Sequence, residues 1–364
     1  MKKRKIGIYF FIITFIYGLY HLFDSLSKVE GANPTNVYQK LLSKENINYL
    51  IIGDSIGRGS GATSKSSAWF TRLEKHLHSD FGIKAKRHSI VQSGATAFEG
   101  LYKLQQSEHL GEIDLTFIVF GENDRKYMDD KQFSYFYEGL IRKTKQLYPD
   151  TEIITITENP LDNNAFAQAI SHISNHYGAK NIDMRKPFEQ SGLPAEELTK
   201  DLVHPNDDGY KIYADTLIKK ISELTGSHAE IAELSAPIHE NADIEIASIP
   251  HVTDIYGSFI HKDGIWESRK AGDSLEYQFT GPFLGVDMIR SEKGGMMDVF
   301  IDDVYITSLS SWWPLTKERY QYIASDLEDG QHLVKFIVTN EKSLNNSTDD
   351  AVIQISSILT RADQ

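Results

Sequence analysis

Between residues 47 and 225, short apolar runs alternate with amphipathic stretches. Runs suited to strands fall near 47–53, 86–91, 114–120, 151–157 and 180–184. Between them, 67–79, 97–107, 131–147 and 164–177 carry apolar residues at helical spacing, such as Trp69, Phe70, Leu73 and Leu77. A last helix is predicted over 206–224, with Tyr210, Tyr213, Leu217 and Ile221 on one face. Pro205 suits its first position, and Asp207 and Asp208 suit its positive end. Strand alternating with helix restricts the chain to parallel strands joined by helical crossovers, an α/β domain. In such open sheets, ligands bind in the crevice at the carboxyl ends of the strands.

The polar residues at those strand ends form a chemical set. Leu50-Ile51-Ile52 runs into Gly53-Asp54-Ser55-Ile56-Gly57, and far downstream stands Asp201-Leu202-Val203-His204-Pro205. A serine hydroxyl is a weak nucleophile. It needs a base within hydrogen-bond reach, and the base needs a partner that fixes its tautomer. Ser55, His204 and Asp201 supply nucleophile, base and orienting carboxylate. Asp201 and His204 are three apart and would share a face on one helical turn. An acyl-transfer intermediate also needs donors for its oxyanion. Ile90 to Thr96 places Gly94 after a strand, where its bare N–H can approach closely. Ile118 to Asp124 places Asn123, an amide donor, after another.

Gly53-Asp54-Ser55, Gly94, Gly121-Glu122-Asn123-Asp124 and Asp201 to Pro205 occur in the order of the four blocks of the SGNH (GDSL-type) hydrolases, which residues 47–225 resemble. Ile56 replaces the Leu of the Gly-Asp-Ser-Leu signature. The resemblance implies a flavodoxin-like α/β/α fold with a parallel sheet, and esterase, lipase or acyltransferase activity without a cofactor. It makes Ser55 the nucleophile, His204 the base and Asp201 its orienter. The N–H groups of Ser55 and Gly94 and the Asn123 side chain become the oxyanion hole.

Competing readings of these residues are plainer. A lone Ser after a strand is most often a helix N-cap. Gly53 to Gly57 also fits the G-x-S-x-G elbow of α/β-hydrolases, but here Ser follows the first strand and the acid stands three before the His. Asp54 and Asp124 read as hydrogen-bonders to turn backbone. His76, His78, His88, His109, His172 and His176 read as solvated or satisfied. No metal-ligand spacing appears. Gly57-Arg58-Gly59-Ser60-Gly61 lacks a P-loop Lys and reads as a flexible rim beside Ser55.

The 364-residue chain carries a net charge of −13, which argues against nucleic acid as a partner. It has no cysteine, so its domains rest on their cores. Lys2-Lys3-Arg4-Lys5 precedes an apolar run from Ile6 to Phe23, broken by the polar His21. This predicts a transmembrane signal anchor over 1–23, with the N-terminus inside and the rest extracytoplasmic. Secretion after signal cleavage is the alternative, but Val29-Glu30-Gly31-Ala32 puts Glu30 where a small residue belongs. Residues 24–46 read as a spacer.

Residues 226–250, rich in Ala, Glu and Pro, read as a linker that makes the C-terminal part separable. From 251 to 364 short alternating runs predict an antiparallel β-sandwich: 274–279, 285–289, 297–301, 320–324, 333–338 and 351–355. Val299 to Asp303 and Leu327 to Val334 resemble the jelly-roll modules that accompany carbohydrate esterases. Trp312-Trp313-Pro314 reads either as an aromatic pair that stacks on a sugar or as a core plug. The expectation is a membrane-held serine esterase acting on an acyl ester, acetyl first, of an extracellular or cell-envelope glycan. Alternatives are O-acyl transfer to a glycan hydroxyl, a lipid esterase or lysophospholipase, and a non-catalytic glycan-binding surface protein.

Overall fold

The computed structural model describes residues 36–362. The anchor expected over 1–23 lies outside them. Among the described residues no helix is long and apolar enough to cross a membrane.

The first domain is a five-stranded parallel sheet. Its strands are β1 (Ile47–Gly53), β2 (Ala85–Val91), β3 (Leu115–Val119), β4 (Glu152–Thr157) and β5 (Lys180–Asp183). The spatial order is β2-β1-β3-β4-β5, the flavodoxin-like arrangement. β1, β3 and β4 are almost wholly buried, as strands covered on both faces must be. One core layer gathers α1 (Val37–Ser43), α2 (Trp69–Phe81) and the last helix against the sheet; the other gathers α3 (Ala97–Gln106), α4 (Asp130–Leu147) and α5 (Asn164–His176). Two short helices, α6 (Arg185–Gln190) and α7 (Ala195–Leu198), precede α8 (Asp207–Gly226).

Two local expectations are corrected. α1 lies inside the expected 24–46 spacer, capped by Asn36 and burying Val37, Tyr38 and Leu41. Pro205 is not the first residue of α8. Asn206 is its N-cap and accepts from the N–H groups of Asp208 and Gly209 at 3.0 and 3.1 Å.

The second domain holds two antiparallel sheets. Its strands are β6 (Ile246–Ile249), β7 (Asp254–Tyr256), β8 (Ile260–Lys262), β9 (Ile265–Ser268), β10 (Ser274–Thr280) and β11 (Leu284–Arg290). They continue with β12 (Gly295–Ile301), β13 (Val304–Ser310), β14 (Lys317–Ala324), β15 (Gln331–Lys342) and β16 (Ile353–Arg361). One sheet runs β13-β12-β15-β10-β7; the other runs β14-β11-β16-β9-β8, with β6 also paired to β16. Leu275, Tyr277, Val286, Met288, Val299, Phe336 and Ile355 interdigitate between them.

The linker reading of 226–250 does not survive. Glu138 of α4 accepts the N–H groups of Ile238 and His239 at 2.6 and 2.9 Å, and Arg142 grips Asp243 at 2.8 and 2.9 Å. Residues 246–249 are a sheet strand. Nor are the domains separable beads. Ile244, Phe283, Tyr322 and Leu359 join Phe98, Leu101 and Phe136 in one core. The Phe136 and Phe283 rings meet edge-on at 5.4 Å. Gly285 lets this happen, because a Cβ there would lie 2.6 Å from the Phe98 ring.

Candidate active site

Ser55 sits in the turn after β1, where the backbone is drawn tight. A Cβ on Gly53 would lie 3.0 Å from the Val119 side chain. The buried Trp69 indole donates to the Ile56 carbonyl at 3.0 Å and fastens the turn to α2. Asp54 accepts from the Ile56 N–H at 2.8 Å, the expected backbone role.

His204 arrives from the loop before α8. Its Nε2 lies 2.9 Å from Ser55 Oγ, and its Nδ1 lies 2.8 Å from Asp201 Oδ2. With the proton on Nδ1 donated to Asp201, the Nε2 lone pair faces the serine hydroxyl. Asp201 and His204 do not share a helical turn as expected. Leu202 is left-handed (φ 67°), and Asp201 Oδ1 also accepts the N–H groups of Val203 and His204 at 3.2 and 2.8 Å. The side chain thus folds over its own turn, an Asx arrangement open to Asp. Burial raises the Asp201 carboxyl, but the His204 N–H and imidazole outweigh it and hold the group below the usual range.

The glycine rim beside Ser55 is packed rather than loose. Ser60 N–H donates to the Ser55 carbonyl at 2.8 Å. Gly61 (φ 102°) comes so close to the histidine loop that a Cβ would lie 2.3 Å from the Pro205 carbonyl.

The three expected oxyanion donors follow three neighbouring strands: Ser55 after β1, Gly94 after β2 and Asn123 after β3. Among the described residues, neither the Ser55 nor the Gly94 N–H is donated to a backbone carbonyl. Gly94 adopts φ 77°, a conformation that glycine enters at no steric cost. The Asn123 amide donates to Asp54 Oδ2 at 2.5 Å, which fixes its rotamer and leaves its second hydrogen.

Beneath the site lie buried acids that sequence reasoning missed or undervalued. Asp124 accepts from the N–H groups of Ala97 and Gly121 at 2.7 and 3.1 Å, and burial pushes its carboxyl up to about 7. Glu158, fully buried after β4, accepts the Glu122 N–H at 2.9 Å. Burial and the neighbouring Asp54 raise it well above the usual carboxylate range, the two carboxyls lying side by side. The chain Glu158–Asp54–Asn123 thus ends at a proposed oxyanion donor.

The second domain also reaches the site. Arg319 of β14, 2% exposed, donates to the Gly94 carbonyl at 2.8 Å and to Glu99 Oε2 at 2.9 and 3.1 Å. Trp313 covers Arg319, its ring centroid 5.5 Å from the guanidinium, and lies 3.5 Å from where a Gly94 Cβ would be. Of the expected pair, Trp313 comes to the site; Trp312 pairs instead with Ser291.

A flavodoxin-like sheet with this serine turn at its carboxyl edge defines an SGNH-type ester hydrolase. Residues 51–212 match the GDSL-like lipase/acylhydrolase family. A two-domain esterase active on acetylated mannans has the same fold across both domains. It shares 18% identity at a TM-score of 0.69, over 90% of this chain and 94% of that one. An acetylxylan esterase from Geobacillus stearothermophilus is 20% identical over 48% of this chain and 94% of its own, with a TM-score of 0.41. No curated protein matches the chain.

Proposed function

We propose that the protein is a serine esterase that removes acetyl groups from a glycan outside the cytoplasm. The carrying observation is the line Asp201–His204–Ser55, with contacts of 2.8 and 2.9 Å. Ser55 Oγ attacks the ester carbonyl as His204 Nε2 takes its proton. The oxyanion receives the N–H groups of Ser55 and Gly94 and the free Asn123 hydrogen. The intermediate collapses, and the sugar hydroxyl leaves with the proton from Nε2. Water, deprotonated by Nε2, attacks the acetyl-serine. Collapse releases acetate and returns the proton to Ser55.

An acetylated carbohydrate as substrate is supported by the two-domain architecture shared with the mannan-active esterase. The basic residues 2–5 and the apolar run to Phe23 support an extracytoplasmic address. The test is acetate release from p-nitrophenyl acetate and from acetylated oligosaccharides. Ser55→Ala should lower turnover by about 10⁴-fold or more with folding intact. Near-wild-type hydrolysis by that variant would remove Ser55 from the mechanism. Protease added to intact cells should reach the ectodomain; protection behind a permeable envelope would refute the address.

A further inference from the structure

The chain is acidic overall, at −13, yet the ground beside the oxyanion loop is basic. Arg58, one turn beyond Ser55, is exposed and donates to Ser93 Oγ at 3.0 Å. Ser93 immediately precedes Gly94. From the other domain comes Lys317, the first residue of β14 and cross-strand partner of Arg290. Arg319 follows two residues later. Glu99 serves both Arg319, at 2.9 Å, and Lys103, at 3.0 Å. Arg58 and Lys317 have no carboxylate partner among the described residues. Glu318, next to Lys317, is taken by the Tyr320 hydroxyl at 2.9 Å. Deeper in, Arg290 Nε and Arg319 Nη1 are buried without an acceptor among the described residues. Burial, and then Arg58, Lys103 and Arg319, hold the Lys317 ammonium below its usual range, the mark of like charges brought together.

Cations gathered from two domains around one carboxylate repel one another. A bound anion would relieve that repulsion and accept from donors that lack partners. We propose that Arg58, Ser93 and Lys317 form a subsite for an anionic group, a carboxylate or phosphate, carried by the glycan that bears the scissile ester. The inference rests on the esterase reading and names its substrate class as an acidic glycan. Ser93 is adjacent to Gly94, whose N–H the esterase reading assigns to the ester oxygen. The anion therefore belongs on the sugar that carries the acetyl group or on its neighbour. Trp313, packed over Arg319, stands beside the same path.

The test compares kcat/KM of the full chain on three acetyl esters. These are an O-acetylated oligogalacturonate, an acetylated phosphate-bearing oligosaccharide and a neutral acetylated xylooligosaccharide. At least one acidic ester should exceed the neutral one by roughly tenfold or more, and the margin should shrink as salt rises from roughly 0.05 to 0.5 M. Whichever acidic ester leads identifies the source of the anion. Lys317→Glu and Arg58→Glu should bring the ratio toward one. Lys262→Glu, on β8 at the opposite edge of that sheet, should keep the wild-type ratio. A second measurement needs no turnover: calorimetric binding of de-acetylated oligogalacturonate, and of the phosphate-bearing oligosaccharide without its acetyl groups, to Ser55→Ala protein. Binding that Lys317→Glu abolishes supports the subsite even if esterase activity is absent. Equal kcat/KM on all three esters, or a preference that survives both charge reversals, overturns it.

Discussion

Arg319 of the second domain donates to the carbonyl of Gly94 in the first at 2.8 Å. The guanidinium is nearly solvent-free and held by Glu99, so it fixes the peptide whose neighbouring N–H would bind the oxyanion. Arg319 is thus a positioning residue, not a catalytic one. Arg319→Met should lower kcat on p-nitrophenyl acetate by roughly 10–100-fold with little change in KM, since small misplacements of catalytic groups are costly. Arg319→Lys should recover part of the loss through a single donor. A variant that loses melting temperature but keeps kcat would reduce the arginine to a structural role.

The shared core makes a related prediction. A chain ended after Gly226 would bare Phe98, Leu101 and Phe136, which now pack on Ile244, Phe283 and Tyr322. It should aggregate or bind a hydrophobic dye in aqueous buffer, because contiguous exposed apolar surface of this kind drives association. A soluble, monomeric and fully active product would show the domains to be independent after all.

The first domain was legible because its periodicities are local. Each strand is a continuous apolar run, each helix shows an amphipathic stripe, and the reactive residues fall at element ends. Spacing alone was misleading at Asp201 and His204, where a left-handed Leu202 replaces the helical turn. The strap over 226–245 could not be read, since its apparent linker composition is held by Glu138 and Arg142, about 100 residues away. The same holds for Arg319 and Glu158. A single buried charge in a strand or turn has no periodic signal, and its partner is known only once the fold brings it near. In β6, β8 and β9 the runs are too short for alternation to stand out.

The buried acids lead to a paired prediction at the oxyanion hole. Asn123→Ala should lower kcat roughly 10²–10³-fold with KM held, as expected of a donor used in the transition state. If protonated Glu158 serves to hold Asp54 against Asn123, Glu158→Gln should keep most activity, because an amide still donates to Asp54 and accepts from Glu122. Glu158→Leu removes both bonds and should lose activity and stability together. Steady-state kinetics of the three variants decide the matter. Loss of activity in Glu158→Gln as deep as in the leucine variant would mean that the carboxyl itself, rather than a donor, is required.

The last prediction concerns Asp287 of β11, a buried carboxyl with one oxygen lacking a hydrogen-bond partner among the described residues. Burial, with Glu318 and Glu99 nearby, pushes it up to about 7. Its folded value therefore stands above the value of about 3.9 expected in the unfolded chain. In that case the group's contribution to stability is fully present below about pH 4 and is lost as pH rises through about 7. Asp287→Asn removes the ionisation while keeping the size. Relative to wild type, the variant should gain stability as pH rises from 5 to 8, by at most a few kcal/mol. Denaturant midpoints across that range measure it. A difference that is flat with pH, or that grows toward acid, would mean that Asp287 is ionised in the folded protein at pH 5.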